Sequence, residues 1–580
     1  MNDSKSSAET VRHAKSPVGR NWWVLSLASI VLPWLCQPPL RWWPFACVAI
    51  IPLLIASKSA NLSRRHLGVL YFAATVYWAL TLQGLRFANP LIYPCWIALA
   101  AYLAVYPIAF VVVLRRMSEG GFLNRRLPTI LAAPVVWVGM ECVRNYMLTG
   151  ISAAMLGHSL ADVPTMIQIA DLGGTYAVST IIVVANVGLF QELYRILHSK
   201  PKPDEQVDKS DTPNRLATWG IIIALWAVTF AYGRYRIGQP TTSGKTTIAL
   251  IGRSESVEYE QDETRELELF GAYANESVSV ISSTDERIDA VVWPESMFTG
   301  TMPWSFGEGG SESAQANGLS AEEERLVLKE YQRRYQFRAA NLQTMLAQNN
   351  GPDSFRPDIL GGCGVVDYGP TTHIYSGIVQ IGSDGNVRDW YGKTHLVMFG
   401  EYIPLVQHLP VIRNWLPKNM GLTVGDGAKR FSVGESTICP NICIETAVER
   451  VPVNHLRQLR SDSLGTLPDF ILTVTNDGWF DDSSVVQHHK RCAQLVAVAC
   501  RRPILSAANI GPTVWIDSCG RVIDEIPQGG EGGVIATPRI DHRTSLAVVI
   551  GDWPARLCAF VFLALLIKRR KSQHPSGDES

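Results

Sequence analysis

The stretch YGKTHLVMFGEYIP, residues 391–404, lies in the soluble half of the chain and contains a candidate reactive lysine. It places Lys393 among aromatic residues, directly after a predicted hairpin whose turn lies at 383–385. A lysine in this setting either lies along the surface with its charged end in water or stabilises the negative charge that develops on an oxygen during a reaction. Taken alone, the stretch favours the surface interpretation, so the choice depends on the motifs around it.

Two further motifs place a reactive side chain at the end of a predicted strand: VVWPE at 291–295 and ICPNICIE at 438–445. In the first, Glu295 is suited to general-base catalysis if it is partly buried, although most glutamates at strand ends are solvated turn residues. In the second, Cys443 is either a small buried apolar residue or a nucleophile that needs a nearby cation and a base. Cys439 is the other candidate nucleophile, but the proline after it suits a strand edge better.

Composition divides the chain into apolar and soluble parts. The 580 residues include 52 basic and 52 acidic ones, and this balance argues against a dedicated nucleic-acid binder. Charged residues make up only 18% and there are 17 Trp. Apolar residues concentrate in the first 235 positions and again near the C-terminus. We therefore expect a membrane-embedded protein with a large soluble domain and no nucleic-acid partner.

Eight segments approach the roughly 20 apolar residues that a membrane-spanning helix needs. Twenty Lys and Arg residues lie in the two tails and in three loops on one side of this arrangement, and few lie on the other. Since basic loops mark the cytoplasmic side, both termini are predicted in the cytoplasm and the soluble domain outside. The predicted spans are 22–38, 42–57, 66–84, 92–114, 128–147, 168–190, 216–233 and 553–567.

The predicted organisation has five parts, with a multi-pass α-helical membrane domain as the largest apolar one. Within its spans, Glu141 and Arg144 either pair along one helix face or contact a headgroup or substrate at the outer surface. The parts are a cytoplasmic tail at 1–20, a seven-span membrane domain at 21–235, an extracytoplasmic catalytic domain at 240–545, a last span at 552–568 and a cytoplasmic tail at 569–580.

Strand-like runs separated by turn residues recur in the outward domain, and helical stretches at 322–348 and 487–500 lie between some of them. Such alternation predicts an α/β architecture. The segment 300–320 is rich in Gly, Ser and Glu and is predicted to be a mobile surface insertion. The predicted strands are 246–251, 290–293, 359–366, 376–381, 470–475, 504–508, 513–517 and 533–537.

Cysteines in the outward domain are free to form disulfides there, but a sequence does not give their pairing. A zinc site built on His488, His489 and Cys492 lacks a second cluster of ligands, so we expect no metal. The outward cysteines are Cys363, Cys439, Cys443, Cys492, Cys500 and Cys519.

In chain order, the WPE, GKxHL…FGEYxP and CxE motifs resemble the Glu–Lys–Cys triad of the nitrilase superfamily. NDGWF at 476–480, QH at 487–488 and NIG at 509–511 add to the resemblance, which covers most of 246–540. It implies a four-layer αββα sandwich in which Cys443 attacks a carbonyl, Glu295 is the base and Lys393 holds the oxyanion, without metal or other cofactor.

The resemblance also implies supporting residues around this triad. Glu401 and Glu445 match two further acidic positions that the family uses. Trp293 of the WPE motif and Trp479 of the NDGWF motif are expected to bind substrate or to support the site. All four residues are therefore predicted to lie close to the triad.

A nitrilase-like domain between seven spans and one is similar to a single branch of that superfamily, the apolipoprotein N-acyltransferase family. AAP at 132–134 and DWP at 552–554 extend the resemblance over nearly the whole chain. It implies transfer of an acyl chain from a phospholipid donor to the α-amino group of a diacylglyceryl-cysteine at the N-terminus of an apolipoprotein acceptor. It further implies a thioester intermediate and a place in the bacterial inner membrane, with the catalytic domain on the periplasmic side.

Three positions depart from the family pattern: Ile444 stands where Tyr is usual, Met398 where Pro is usual and Ala499 where Glu is usual. These departures bear on acyl-donor preference and rate more than on reaction type. The alternative function is a membrane-tethered amidase of the nitrilase type that hydrolyses a small amide. A non-enzymatic lipid-binding or transport protein is disfavoured because all three triad residues are present.

Overall fold

A computed structural model describes residues 22–59, 62–88, 92–118, 128–198, 215–257, 263–311, 314–315, 318–351, 353–398, 400–402, 421–462, 464–481 and 483–567. Some sequence predictions fall outside these residues. They are the two tails at 1–20 and 569–580, Phe399, and residues 403–404 of the central stretch.

Helices of the membrane part occur at each of the eight predicted spans. Two of the described helices are long and apolar enough to cross a membrane, over Tyr93–Met117 and Ala170–Ile196, and three apolar helices are shorter. The count of eight spans and their orientation therefore stay predictions. The helices are α1 (Trp22–Cys36), α2 (Ile51–Lys58), α3 (Arg64–Thr81), α4 (Leu85–Ala88), α5 (Tyr93–Ser118), α6 (Thr129–Tyr146), α7 (Pro164–Ile167), α8 (Ala170–His198), α9 (Arg215–Ile237) and, after the soluble domain, α16 (Trp553–Ile567).

The soluble domain contains two sheets. The first has the strand order β13-β1-β2-β4-β5-β6, with β3 paired to β4, and the second has the order β12-β11-β10-β9-β8-β7. The strands are β1 (Ile248–Gly252), β2 (Ala290–Trp293), β3 (Trp304–Phe306), β4 (Asp358–Tyr368), β5 (Thr372–Ile381), β6 (Val387–Gly392), β7 (Phe431–Val433), β8 (Ser436–Ile442), β9 (Phe470–Asn476), β10 (Ile504–Asn509), β11 (Thr513–Ile516), β12 (Val522–Ile526) and β13 (Gly532–Ala536).

The two sheets are stacked face to face and covered by helices on their outer faces. Leu250 of the first sheet and Leu472 of the second belong to one buried cluster between the sheets. The outer face of the first sheet packs on α10 and α11, and that of the second on α13, α14 and α15. The helices of this domain are α10 (Glu263–Ser282), α11 (Ala321–Ala347), α12 (Ile444–Ala447), α13 (Arg450–Arg460), α14 (Ser484–Cys500) and α15 (Leu546–Ile550). The predicted αββα order of layers is confirmed.

The segment 300–320 differs from the prediction of a mobile insertion. Trp304–Phe306 forms β3 and pairs in parallel with β4. Farther along, the buried carboxylate of Glu324 on α11 accepts hydrogen bonds from the backbone N–H groups of Gly310 and Ser311, at 2.6 and 2.9 Å. Residues 304–306 and 310–311 of this segment are therefore held by β4 and by α11, despite its high content of Gly and Ser.

Buried ion pairs join the soluble domain to the membrane helices. The guanidinium of Arg501 lies 2.6 Å from the carboxylate of Asp171 on α8, and that carboxylate also lies 2.7 Å from Arg236 on α9. The buried guanidinium of Arg491 on α14 also forms an ion pair with Asp162, which precedes α7 and whose side chain is 40% exposed. Loss of one partner from the buried pair of Arg501 and Asp171 would leave an uncompensated charge, so this pair fixes the soluble domain on α8.

Glu141 and Arg144 of α6 are both buried and bind separate partners. Glu141 accepts a hydrogen bond from the backbone N–H of Leu156 at 2.9 Å. Arg144 donates to the carbonyl oxygen of Ala153 at 3.3 Å and lies 5.1 Å from the ring centroid of Trp78. The two described side chains therefore bind neighbouring parts of the membrane helices and form no direct ion pair with each other, and a contact with a headgroup or substrate stays a prediction.

Candidate active site

Three strand ends meet where the two sheets face each other. Glu295 follows β2 and Lys393 follows β6, both in the first sheet, whereas Cys443 follows β8 in the second. The proline at 294 ends β2. Pairing of β6 with β5 in a hairpin fixes the position of the strand end that Lys393 follows. The sequence prediction that each reactive residue lies at the end of a strand is therefore matched by the structure.

Lys393 lies between two carboxylates. Its Nζ is 3.0 Å from Oε1 of Glu295 and 2.5 Å from Oε1 of Glu401, and its side chain is only 1% exposed. Burial lowers the pKa of Lys393, but the charges of Glu295 and Glu401 outweigh that effect and raise it well above the ordinary value for lysine. The lysine is therefore a buried, charged ammonium group and does not extend into water as a surface lysine would.

Glu295 has a fixed orientation. Its Oε1 also accepts a hydrogen bond from the hydroxyl of Ser376 at 3.0 Å, and its Oε2 accepts one from the backbone N–H of Asn476 at 3.3 Å. The carboxylate is thus held by both sheets, since Ser376 belongs to β5 and Asn476 to β9. A carboxylate held in this way is available as an acceptor of a proton from a group placed beside it.

Cys443 occupies a strained turn between β8 and α12. Its backbone has φ +49° and ψ −114°, a conformation that residues with a Cβ seldom adopt. Burial and the charge of Glu295 raise the pKa of the Cys443 thiol, whereas Lys393 lowers it. The thiol is therefore protonated at rest, and a base must take its proton before sulfur can act as a nucleophile.

Cys439, the other candidate nucleophile, lies within β8. Its side chain is fully buried among residues of the second sheet and its helices. Burial raises the pKa of its thiol to about 12. The structure therefore separates the two cysteines by environment, and only Cys443 lies beside Glu295 and Lys393.

Glu445 joins the two sheets at the site. Its fully buried carboxylate accepts hydrogen bonds from the hydroxyl of Tyr391 at 2.8 Å and from the backbone N–H of Thr394 at 2.7 Å. The other oxygen accepts one from the backbone N–H of Ile442 at 2.7 Å. Because these donors flank Lys393 on one side and Cys443 on the other, Glu445 fixes the distance between cation and thiol.

Glu401 holds the loop that follows Lys393. Its second oxygen accepts a hydrogen bond from the backbone N–H of Val397 at 2.7 Å, while its first binds Lys393. Met398, one of the departures from the family pattern, lies in this loop and is partly buried. The prediction that Glu401 lies beside the triad is matched by its position.

The two tryptophans occupy different positions. Trp293 is fully buried in the layer between β2 and α10, where its Nε1 donates to the hydroxyl of Ser277 at 2.9 Å. It packs β2, the strand before Glu295, against α10. Because it is fully buried, it has no surface on which a substrate could bind. Trp479 lies in the turn after β9 and is partly exposed.

The other two departures from the family pattern lie at different distances from the nucleophile. Ile444 is the first residue of α12 and is partly exposed, directly after Cys443. Ala499 is fully buried in the last turn of α14, within the core of the domain. The departure at 444 therefore lies next to the nucleophile, whereas the departure at 499 lies in the buried core of the domain.

His489 is a part of the site that the sequence did not predict. Its Nε2 lies 3.0 Å from the carbonyl oxygen of Cys443 and its Nδ1 lies 3.3 Å from Oδ1 of Asp477.

The cysteine of the rejected zinc site, Cys492, has its sulfur 3.9 Å from Nδ1 of His158 in the membrane part. All eleven cysteines are free thiols.

The arrangement provides a thiol, a carboxylate that accepts its proton and an ammonium group beside both. Such a set is suited to attack on a carbonyl carbon, because the cation stabilises the negative charge that develops on the carbonyl oxygen and the thiol forms a covalent intermediate.

Two solved structures are similar to part of this chain at low identity and low TM-score. An amidase of the nitrilase superfamily from Nesterenkonia is 14% identical, with a TM-score of 0.33, and covers 55% of this chain and 97% of its own. A CN-hydrolase superfamily protein from Xanthomonas campestris is 19% identical, with a TM-score of 0.32, and covers 54% and 96%.

Similarity of sequence extends over both the membrane helices and the soluble domain. Residues 29–188 match the family model of the apolipoprotein N-acyltransferase N-terminal domain. The apolipoprotein N-acyltransferase of Geobacter metallireducens is 25% identical over 96% of this chain and 97% of its own. That of Rhodopirellula baltica is 45% identical over 568 residues, which cover 94% of this chain and 98% of its own. With a relative of this identity over nearly its whole length, the chain belongs to the apolipoprotein N-acyltransferase family.

Proposed function

We propose that the protein transfers an acyl chain from a phospholipid to the α-amino group of the S-diacylglyceryl-cysteine at the N-terminus of an apolipoprotein, through a thioester on Cys443. The observation that carries the proposal is the buried ammonium of Lys393 between Glu295 and Glu401, beside the strained turn of Cys443. Family membership supports the same reaction.

In the first half of the proposed reaction, Glu295 takes the proton of the Cys443 thiol. The sulfur attacks the ester carbonyl carbon of the phospholipid, and Lys393 stabilises the resulting oxyanion. When the tetrahedral intermediate collapses, the ester C–O bond breaks and Glu295 returns the proton to the leaving alkoxide. The products are a lysophospholipid and an acyl thioester on Cys443.

In the second half, the α-amino group of the diacylglyceryl-cysteine attacks the thioester carbonyl. Glu295 accepts a proton from the amine, the C–S bond breaks and the proton passes to the leaving Cys443 thiolate. The amide bond of the N-acylated lipoprotein forms and the enzyme returns to its starting state. Division into two steps replaces one difficult transfer between two lipids by two easier ones.

Placement against the membrane supports lipids as both substrates. The catalytic domain is fixed to α8 by the buried pair of Arg501 and Asp171, and Glu449, six residues after Cys443, binds Thr175 of the same helix. A nucleophile held next to a membrane helix reaches an ester at the membrane surface without drawing the lipid into water. The proposal includes eight spans, a bacterial inner membrane and a periplasmic catalytic domain.

The test uses purified full-length protein in liposomes that contain phospholipid with a labelled acyl chain. After addition of a synthetic diacylglyceryl-cysteine peptide, mass spectrometry should detect labelled amide at the peptide N-terminus, and Cys443→Ser should produce none. If the label appears only as free fatty acid while the peptide amine stays unmodified, water is the acceptor and the proposed transfer is wrong.

A further inference from the structure

The backbone of Cys443 is held by three hydrogen bonds in a conformation that strains a residue with a Cβ. Its N–H donates to the carbonyl oxygen of Val474 at 2.8 Å, and its own carbonyl oxygen accepts from the backbone N–H of Thr446 at 3.1 Å. The third bond comes from Nε2 of His489 at 3.0 Å. Two of these contacts are backbone to backbone, so the third is the one that a change of side chain removes.

His489 lies on α14 and is oriented from its other side by Asp477. Its Nδ1 is 3.3 Å from Oδ1 of that carboxylate, which is buried and also accepts from the hydroxyl of Thr475 at 3.2 Å. Both partners of the ring are acceptors, so both bonds form together only when each ring nitrogen carries a proton. Burial lowers the pKa of His489, but the charge of Asp477 outweighs it and raises the pKa above the ordinary value.

The position of this turn determines the geometry of the whole site. Glu295 and Lys393 both follow strands of the first sheet, whereas Cys443 follows a strand of the second. The distance from sulfur to base and cation therefore depends on how the turn of Cys443 is held. His489 reaches that turn from a helix of the outer layer, independently of the strands.

From this geometry we infer that His489 is a positioning residue for the nucleophile: its Nε2–H holds the carbonyl of Cys443, with Asp477 orienting the ring, and so keeps the sulfur aligned with Glu295 and Lys393. The inference rests on the proposed function, because the reaction is what gives alignment of the thiol its purpose. Glu445 fixes the other side of the same turn through Ile442.

Two substitutions separate the two ring nitrogens. In His489→Gln the amide nitrogen replaces Nε2 and keeps the bond to Cys443, whereas in His489→Asn it replaces Nδ1 and keeps only the bond to Asp477. We expect His489→Gln to retain most of the rate of acyl transfer. We expect His489→Asn to lower kcat on the order of 10-fold to 100-fold with little change in KM, because misplacement of a reacting atom affects the chemical step.

The measurements are kcat and KM for transfer, the thermal unfolding midpoint of each variant, and the rate at which iodoacetamide alkylates Cys443, followed on its peptide by mass spectrometry. Similar midpoints with slower transfer and slower alkylation only in His489→Asn support the inference. Equal rates in the two variants, at any level, overturn it.

Alkylation does not depend on the identity of the lipid substrates. If the wild type fails to transfer acyl chains but Cys443 is still alkylated more slowly in His489→Asn than in His489→Gln, the proposed function is wrong and the role of His489 stands. If transfer occurs in the wild type but the two variants are alike in both assays, the role of His489 is wrong and the proposed function stands.

Discussion

Glu449 caps a break in a membrane helix through Thr175. Its two carboxylate oxygens lie 3.1 and 3.0 Å from the backbone nitrogen of Thr175, and it also accepts from the hydroxyl of that residue. Helix α8 loses helical geometry at Gly173 and Gly174, and Gly174 has φ +67°. An added Cβ at Gly174 would lie 2.0 Å from the Glu449 carboxylate, so the break leaves room for the cap.

This cap predicts a pH-dependent contribution to stability. Burial raises the pKa of Glu449 to about 7 from an ordinary value of 4.5. A carboxyl group with a raised pKa in the folded state binds its proton more tightly there than in the unfolded state. Its stabilising contribution is therefore complete below about pH 4.5 and is lost as pH rises toward about 7.

The prediction is tested with Glu449→Gln, which keeps an acceptor for Thr175 without the titration. Between about pH 5 and pH 8, the thermal midpoint of the wild type should fall relative to that of the variant. Glu435→Gln is the matched control, because that side chain is 67% exposed and forms a surface pair with Lys245. Parallel pH profiles for the wild type and Glu449→Gln would contradict the assignment.

The choice between two cysteines gives a direct prediction. Cys443→Ser should abolish acyl transfer, because the thiol beside Glu295 and Lys393 is the proposed nucleophile. Cys439→Ser should retain most activity, since its thiol is buried within the second sheet and its pKa is raised to about 12. Transfer assays on both variants, with the thermal midpoint as a control for folding, show which cysteine is the nucleophile. An active Cys443→Ser with an inactive Cys439→Ser would exchange the two roles.

Removal of the buried cation should have a large effect on rate. Lys393→Ala should lower kcat on the order of 10²-fold or more, because one stabilising group of the oxyanion is lost. It also leaves the carboxylates of Glu295 and Glu401 without the ammonium group that lies between them. Lys429→Ala is the control, because Lys429 is 42% exposed and forms a 3.3 Å surface pair with Asp389. A mild loss in Lys393→Ala would mean that Lys393 is structural.

Much of the site could be predicted because its parts are local. A proline, a carboxylate and a preceding apolar strand are neighbours in sequence at 291–295, and a hairpin turn locates the end of β6 just before Lys393. The role of His489 could not, because it depends on a bond across 46 residues to a backbone carbonyl. Every residue type has a backbone carbonyl, so the residue at position 443 does not indicate that its carbonyl binds His489.

Some helices and strands are not predicted from the sequence, because their residues have weak intrinsic preferences or the element is very short. The second half of α10 is rich in Ser and Val, which are weak helix formers. It is helical because Tyr273 and Ile281 are buried on the first sheet. The short strands β3 and β7, of three residues each, have too few positions to show an alternating pattern.

The membrane topology is tested by reporter fusions. The asymmetry of Lys and Arg in the loops predicts that a reporter placed after Gln239, or within 300–320, reads extracytoplasmic, and that one placed after Lys571 reads cytoplasmic. Alkaline phosphatase and green fluorescent protein provide opposite signals for the two sides. The reverse pattern would place the catalytic domain in the cytoplasm, and the site of action proposed here would be wrong.

The order of events in the proposed mechanism gives the last prediction. If Cys443 is acylated before the amine arrives, the kinetics are ping-pong. Phospholipid alone should then add the mass of an acyl chain to the peptide that carries Cys443 and release lysophospholipid. The adduct should be cleaved by neutral hydroxylamine, as thioesters are, and a diacylglyceryl-cysteine peptide should remove it with formation of N-acylated product.

Glu295→Gln should form no adduct, because its neutral amide cannot take the thiol proton that Glu295 accepts in the proposed first step. The single amide oxygen of Gln can accept either from the backbone N–H of Asn476 or from Lys393 and Ser376, but not from both sides at once, so the thermal midpoint of the variant is measured beside the labelling. An unchanged thermal midpoint in this variant excludes unfolding as the cause. Should active wild-type enzyme never become labelled without acceptor, direct attack of the amine on the phospholipid would replace the two-step mechanism, and Cys443 would need another role.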